Sequence, residues 1–144
     1  LETRLNIGDL SRLGFGSAER PGDLPALVLA YVGDAVYELA VRSLLVADGR
    51  VKVGQLHKEA VNYVSAAAQA EALRVLEGNL TEEEAAVMRR GRNTKSAHTP
   101  RSTGIMDYRH STALECLIGY LFLKGEGQRL EEILVSVLSV EKYE

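Results

Sequence analysis

The stretch Leu29-Ala30-Tyr31-Val32-Gly33-Asp34-Ala35-Val36-Tyr37-Glu38-Leu39-Ala40-Val41-Arg42 limits the folds open to this chain more than any other. From Leu24 to Val46 the only charged residues are Asp34, Glu38 and Arg42, at i, i+4 and i+8. On a helix this spacing draws one polar line down an otherwise apolar rod. A rod that is apolar nearly all round is expected inside the protein. A carboxylate in its middle is costly unless something positive meets it. A different reading breaks the segment at Gly33 into a strand, a turn and a helix capped by Asp34.

A second apolar run repeats the oddity. Glu115 is the only charge between His110 and Lys124, in Ser111-Thr112-Ala113-Leu114-Glu115-Cys116-Leu117-Ile118-Gly119-Tyr120-Leu121-Phe122-Leu123. Two apolar helices thus each carry one carboxylate near the middle. If they pack together, Asp34 and Glu115 are placed to share a divalent cation. Hard cations such as Mg²⁺ prefer oxygen ligands, one or two carboxylates and several retained waters. Without an ion, two adjacent buried carboxylates repel, and one tends to stay protonated. The plainer alternatives are that Glu115 pairs with an arginine and that Glu38 and Arg42 form an ion pair on a helix face.

The rest of the chain reads as helices with clear punctuation. Its 144 residues suit one core, and the three prolines and abundant Ala, Leu, Glu and Arg point to an all-α domain. Residues 1–22 form an N-terminal extension with at most a short helix near Leu5 to Leu13. Pro21-Gly22-Asp23 is a break, Asp23 or Pro25 opens the long helix, and Asp48-Gly49 ends it. Val53 to Leu76 reads as two helices jointed at Ser65, followed by a turn at Glu77-Gly78-Asn79. Thr81 and Glu84 form a capping box for a helix reaching about Arg92. Asn93 to Tyr108 reads as a long polar loop, of the kind that is functional or disordered. A helix from about Arg109 to Lys124 follows, then an amphipathic one from about Gln128 to Leu138 with Leu130, Ile133, Leu134 and Val137 on one face.

Charge is unevenly spread. The chain carries −3, yet residues 89–109 hold six Arg or Lys against one Asp. Arg89-Arg90-Gly91-Arg92-Asn93-Thr94-Lys95-Ser96 mixes cations with hydroxyls and an amide, a set suited to phosphate and sugar contacts. The plain alternative is a solvated charged surface. The single cysteine, Cys116, excludes an internal disulfide and reads as a small core residue in a reducing, cytoplasmic setting. Asp34 interrupts the longest apolar run well short of the ~20 residues of a membrane span. His57, His98 and His110 lack metal-ligand spacing, and Gly14-Phe15-Gly16 lacks the rest of a phosphate-binding motif.

Leu29 to Leu39, centred on Gly33-Asp34-Ala35-Val36, resembles the signature helix of the ribonuclease III family. Ala113-Leu114-Glu115-Cys116-Leu117-Ile118-Gly119 resembles that family's second motif, in the same order. With Arg90-Gly91-Arg92-Asn93-Thr94-Lys95-Ser96, residues 23–138 resemble the Mini-ribonuclease III branch, which lacks a double-stranded-RNA-binding domain. The resemblance implies an all-helical catalytic domain over 23–144, of ribonuclease III endonuclease type. It implies a homodimer that cuts double-stranded RNA by Mg²⁺-dependent hydrolysis, with Mn²⁺ as a possible substitute, leaving 5′-phosphate and 3′-hydroxyl ends. The associated task is maturation of 23S ribosomal RNA, with a ribosomal protein as a possible presenter of the substrate. Asp34 matches the family's metal-binding aspartate, Glu115 its essential glutamate, and Tyr31 an aromatic of its dimer interface. Two further family acids are replaced by Ala30 and Thr112. Arg90, Arg92, Asn93, Lys95 and Arg101 are then expected to hold the RNA backbone, since A-form duplex is gripped through phosphates and 2′-hydroxyls. The competing expectation is a non-catalytic ribonuclease III-like module that binds RNA within a ribonucleoprotein.

Overall fold

The computed structural model of the chain describes residues 7–12, 20–94 and 104–138, and every regular element among them is helical. In chain order these are α1 (Ile7–Arg12), a 3-10 turn (Pro21–Asp23), α2 (Ala26–Ala47), α3 (Val53–Val64), α4 (Ala66–Leu76), α5 (Glu82–Asn93), α6 (Ile105–Lys124) and α7 (Gly127–Leu138). The reading of residues 29–39 as a strand, turn and capped helix is overturned: α2 runs unbroken through Gly33 and Asp34. Its first N–H groups, from Val28 and Leu29, bond to the Pro25 carbonyl at 3.0 and 3.1 Å, so Pro25 rather than Asp23 opens it.

The other helix ends follow their local chemistry. Gly49, with φ 94°, lies just beyond α2, in the left-handed region that glycine enters without strain. Ser65 separates α3 from α4, its hydroxyl accepting the Ala68 N–H at 3.2 Å. Thr81 and Glu84 form the expected capping box of α5, with reciprocal bonds of 3.0 and 3.1 Å.

Two expectations shift at the basic segment. α5 continues through Asn93, and α6 begins at Ile105 rather than near Arg109. The expected loop from Asn93 to Tyr108 is therefore shorter at both ends. Met106 and Ile105 are exposed and Gly104 gives no side-chain cap, so the first turn of α6 carries none of the usual sequence marks.

α6 is the central helix. Ser111 to Leu114 and Cys116 to Leu121 are buried on all sides, and α2, α4, α5 and α7 pack around them. Complete burial of Leu114, Leu117 and Ile118 contributes about 2 kcal/mol each. Cys116 is a core residue, with its thiol donating to the Ala26 carbonyl at 3.0 Å. Burial pushes that thiol up to about 12, which keeps it protonated and inert. α7 seats Leu130, Ile133, Leu134 and Val137 in the core, as its periodicity predicts.

The expectation that α2 is buried all round does not hold. Leu29, Gly33, Val36, Tyr37 and Val41 face the core. Tyr31 is 81% exposed and Leu39 47%, while Ala35 and Asp34 are exposed beside them. Apolar composition marks a surface to be covered, and among the described residues the middle of α6 is covered far more completely than α2.

Candidate active site

The site begins where two helices touch backbone to backbone. Gly33 of α2 lies against the Glu115 carbonyl of α6, and Gly119 of α6 lies against the Leu29 carbonyl of α2. A Cβ on Gly33 would overlap that Glu115 oxygen and stand 2.8 Å from the Gly119 nitrogen. A Cβ on Gly119 would overlap the Leu29 oxygen and stand 3.0 Å from the Gly33 nitrogen. The missing side chains permit a closer helix crossing than the usual 8–10 Å between axes. Asp34 is the residue after Gly33, and Glu115 is one turn before Gly119. The crossing therefore sets both carboxylates on the same side of the junction.

The two acids meet there in different surroundings. Asp34 is exposed and Glu115 is half-buried, which corrects the expectation of two buried carboxylates. Burial is the largest cause of a Glu115 carboxyl pushed up to about 8, followed by the negative charge of Asp34. A side-chain hydrogen bond with Asp34 and the charge of Glu38 push the same way, while a hydrogen bond from Gln69 opposes them. Gln69 reaches in from α4, its Nε2 donating to Glu115 Oε2 at 3.1 Å. The phenol of Tyr37, one turn beyond Asp34, is buried and pushed up to about 12, mainly by burial and also by Tyr63 and Glu115. Among the described residues no arginine helps set the Glu115 charge, so the alternative of an Arg–Glu115 pair is not seen there. Glu38 does pair with Arg42, at 3.5 Å across one exposed turn.

Residues 27–126 match the model of the ribonuclease III domain. The chain belongs to the ribonuclease III family. It is 51% identical over 114 residues to the Mini-ribonuclease 3 of Brevibacillus brevis, spanning 79% of this chain and 85% of that one. It is 48% identical over 120 residues to the Mini-ribonuclease 3 of a Thermoanaerobacter species, spanning 83% and 84%. A crystal structure of a Fusobacterium nucleatum protein superposes with a TM-score of 0.75 at 30% identity, covering 85% of this chain and 98% of that one. At the two positions where the ribonuclease III resemblance places further acids, Ala30 and Thr112 are buried. The Thr112 hydroxyl turns back to the Tyr108 carbonyl at 2.9 Å. These positions therefore bring no additional charge to the Asp34–Glu115 pair.

The pair fits a hard divalent ion. Its donors are carboxylate oxygens, Asp34 is open to solvent, and the repulsion that pushes the Glu115 carboxyl up is one that an ion would relieve. Among the described residues, no three His, Cys, Asp or Glu side chains are gathered at metal-binding range. Such an ion would thus have two protein carboxylates and keep several further positions for water and phosphate.

The other residues of the ribonuclease III reading separate into distinct places. Arg90, Arg92 and Asn93 lie on the last turn of α5, not in a loop. Arg90 is held by the fold: its guanidinium donates to the Gly22 and Leu24 carbonyls at 2.8 and 2.6 Å. Arg92 and Asn93 are exposed, joined by Nε to Oδ1 at 3.5 Å. Lys95 and Arg101 lie outside the described residues. Tyr31 stands on the exposed face of α2, three residues before Asp34. The residue that sequence reasoning missed is Gln69. It shares a helical stripe with Leu73 and Leu76, and a polar residue at that register was a usable signal.

Proposed function

We propose that this chain is an endoribonuclease that hydrolyses double-stranded RNA with Mg²⁺, for which Mn²⁺ is a substitute. The carrying observation is the meeting of Asp34 and Glu115 at the Gly33–Gly119 crossing. Asp34 and Glu115 would hold the ion, directly or through its waters. When bound, Mg²⁺ makes a coordinated water more acidic and offsets charge on the phosphate. Glu115 would bind the ion as a carboxylate, and exposed Asp34 keeps the site open to a bulky duplex. No side chain need act as a general base. The products expected are 5′-phosphate and 3′-hydroxyl ends.

The working unit in this reading is a homodimer, each protomer cutting one strand. The exposed apolar face of α2, with Tyr31, Ala35 and Leu39, supports it, because such a contiguous face is normally covered. Arg92 and Asn93 on α5, with Lys95 and Arg101 beyond it, would grip the RNA backbone. The relatives named above carry the name Mini-ribonuclease 3, and the proposed cellular substrate is the 23S ribosomal RNA precursor, with a ribosomal protein as a possible presenter. A purely RNA-binding module would gain stability by replacing a repelling acid pair with apolar residues, so its retention favours the enzyme.

The test is direct. Long duplex RNA is incubated with the protein, with and without Mg²⁺. Shortening only with the metal, lost in Asp34→Asn, is the expected result. An Asp34→Asn protein that cleaves at the wild-type rate would defeat the assignment.

A further inference from the structure

We propose that Gln69 is a positioning residue for Glu115: its amide fixes one oxygen of that carboxylate and leaves the remaining lone pairs for the cation shared with Asp34. The inference rests on the metal-site reading given under the proposed function.

Gln69 sits in the first turn and a half of α4, whose start is fixed by the Ser65 cap. It is 2% exposed, on a stripe otherwise filled by Ala and Leu. A buried amide at such a place is costly unless its hydrogen bonds are made. Both Nε2 hydrogens are used, one on the Val64 carbonyl at 3.0 Å and one on Glu115 Oε2 at 3.1 Å. The orientation is thereby set, because a flipped amide would present its oxygen to two acceptors. Val64 is the last residue of α3, where a helix leaves carbonyls without intrahelical partners. One end of the clamp is thus backbone and does not move with the metal site. The other end spans 46 positions of sequence, from α4 to α6.

The remaining atom argues that packing is not the purpose. Gln69 Oε1 is buried with no hydrogen-bond partner among the described residues. Leu or Met would fill the same space without leaving an unsatisfied acceptor. With Ala30 and Thr112 uncharged, a neutral donor orients Glu115 without adding a third negative charge. Partners of metal ligands commonly change metal affinity 10- to 100-fold when removed.

The experiment uses the full chain in three forms, wild type, Gln69→Leu and Asp34→Asn. Mn²⁺ binding without RNA is read from the free-ion electron paramagnetic resonance signal. Cleavage of duplex RNA is measured in parallel across Mg²⁺ concentrations. The expected Gln69→Leu result is Mn²⁺ affinity weakened by about tenfold or more, lower kcat, an unchanged KM for duplex, and recovery of kcat at high Mg²⁺. Circular dichroism of the metal-free variant separates a lowered metal affinity from a loss of fold. If Gln69→Leu does not fold, the wild-type chain is read instead: the Gln69 side-chain amide resonances are expected to shift on Mg²⁺ addition. A folded Gln69→Leu protein with wild-type Mn²⁺ affinity, or amide resonances unmoved by saturating Mg²⁺, overturns the proposal. Wild-type Mn²⁺ binding by Asp34→Asn would instead remove the metal site itself.

Discussion

Among the carboxylates drawn into this fold, Glu84 and Glu115 are treated in opposite ways. Glu84 begins α5 and is met by Arg129 of α7, whose Nε and Nη2 donate to its two oxygens at 2.8 and 2.9 Å. Arg129 hydrogen bonds lead the causes that hold the Glu84 carboxyl below its ordinary range, and the Thr81 N–H adds to them. Glu115 receives one neutral donor and faces another acid, and it is held well above that range. A charge with its partner in place is part of the framework. A charge left facing its like is waiting for something from outside the chain. In the proposed reading, α5–α7 serves stability and α2–α6 serves chemistry.

The sharpest break of that contrast is removal of each acid in turn. Asp34→Asn or Glu115→Gln should lower cleavage on the order of a thousand-fold or more, with the circular dichroism spectrum unchanged. Glu84→Gln should leave kcat near wild type. Next in size is the crossing itself. Gly119→Ala forces a methyl onto the Leu29 carbonyl and should cost at least about 3 kcal/mol, read as a lowered urea midpoint. Arg129→Met strands Glu84 and the Asn79 carbonyl, and should cost about 3 kcal/mol with metal affinity intact.

The two acids should also give opposite pH dependence in metal-free protein. The folded-state carboxyl of Glu115 lies near 8 against an ordinary 4.5, so the folded chain holds a proton that the unfolded chain has released. Stability from this group therefore falls as pH rises from about 4.5 to about 8. Glu84 is shifted down, so its contribution is present above the ordinary carboxylate value and is lost as pH falls through the lower one. Urea midpoints at pH 5 and pH 8.5 for wild type and Glu115→Gln test this, with the variant gaining relative stability at the higher pH. The smallest effect expected is from Glu38→Gln, which breaks an exposed pair and should change stability by less than about 0.5 kcal/mol.

Much of this contrast was legible in the residues. Asp34 and Glu115 stand out because an isolated acid in an apolar helix has few reasons to be there. The Thr81–Glu84 box, the Ser65 joint and the α7 stripe are local signals and appear where expected. The covering of α2 was misread, because apolarity is the same whether the missing partner is this chain or another surface. The start of α6 was misread because exposed Ile105 and Met106 carry no periodic mark. Arg90 reads in sequence like its basic neighbours, yet its partners are carbonyls 68 and 66 positions away, which no local pattern encodes. Gln69 is the faintest mark, a neutral amide whose register on the α4 stripe gains meaning from its burial.

The glycine crossing has a consequence for how this molecule fails. The reach between the two acids is governed by main-chain contact at the centre of the bundle, not by a mobile lid or a flexible arm. Amide protons of Gly33 and Gly119 should therefore exchange with solvent only on global opening. In the proposed reading, each protomer's capacity for the ion should vanish in that same cooperative event.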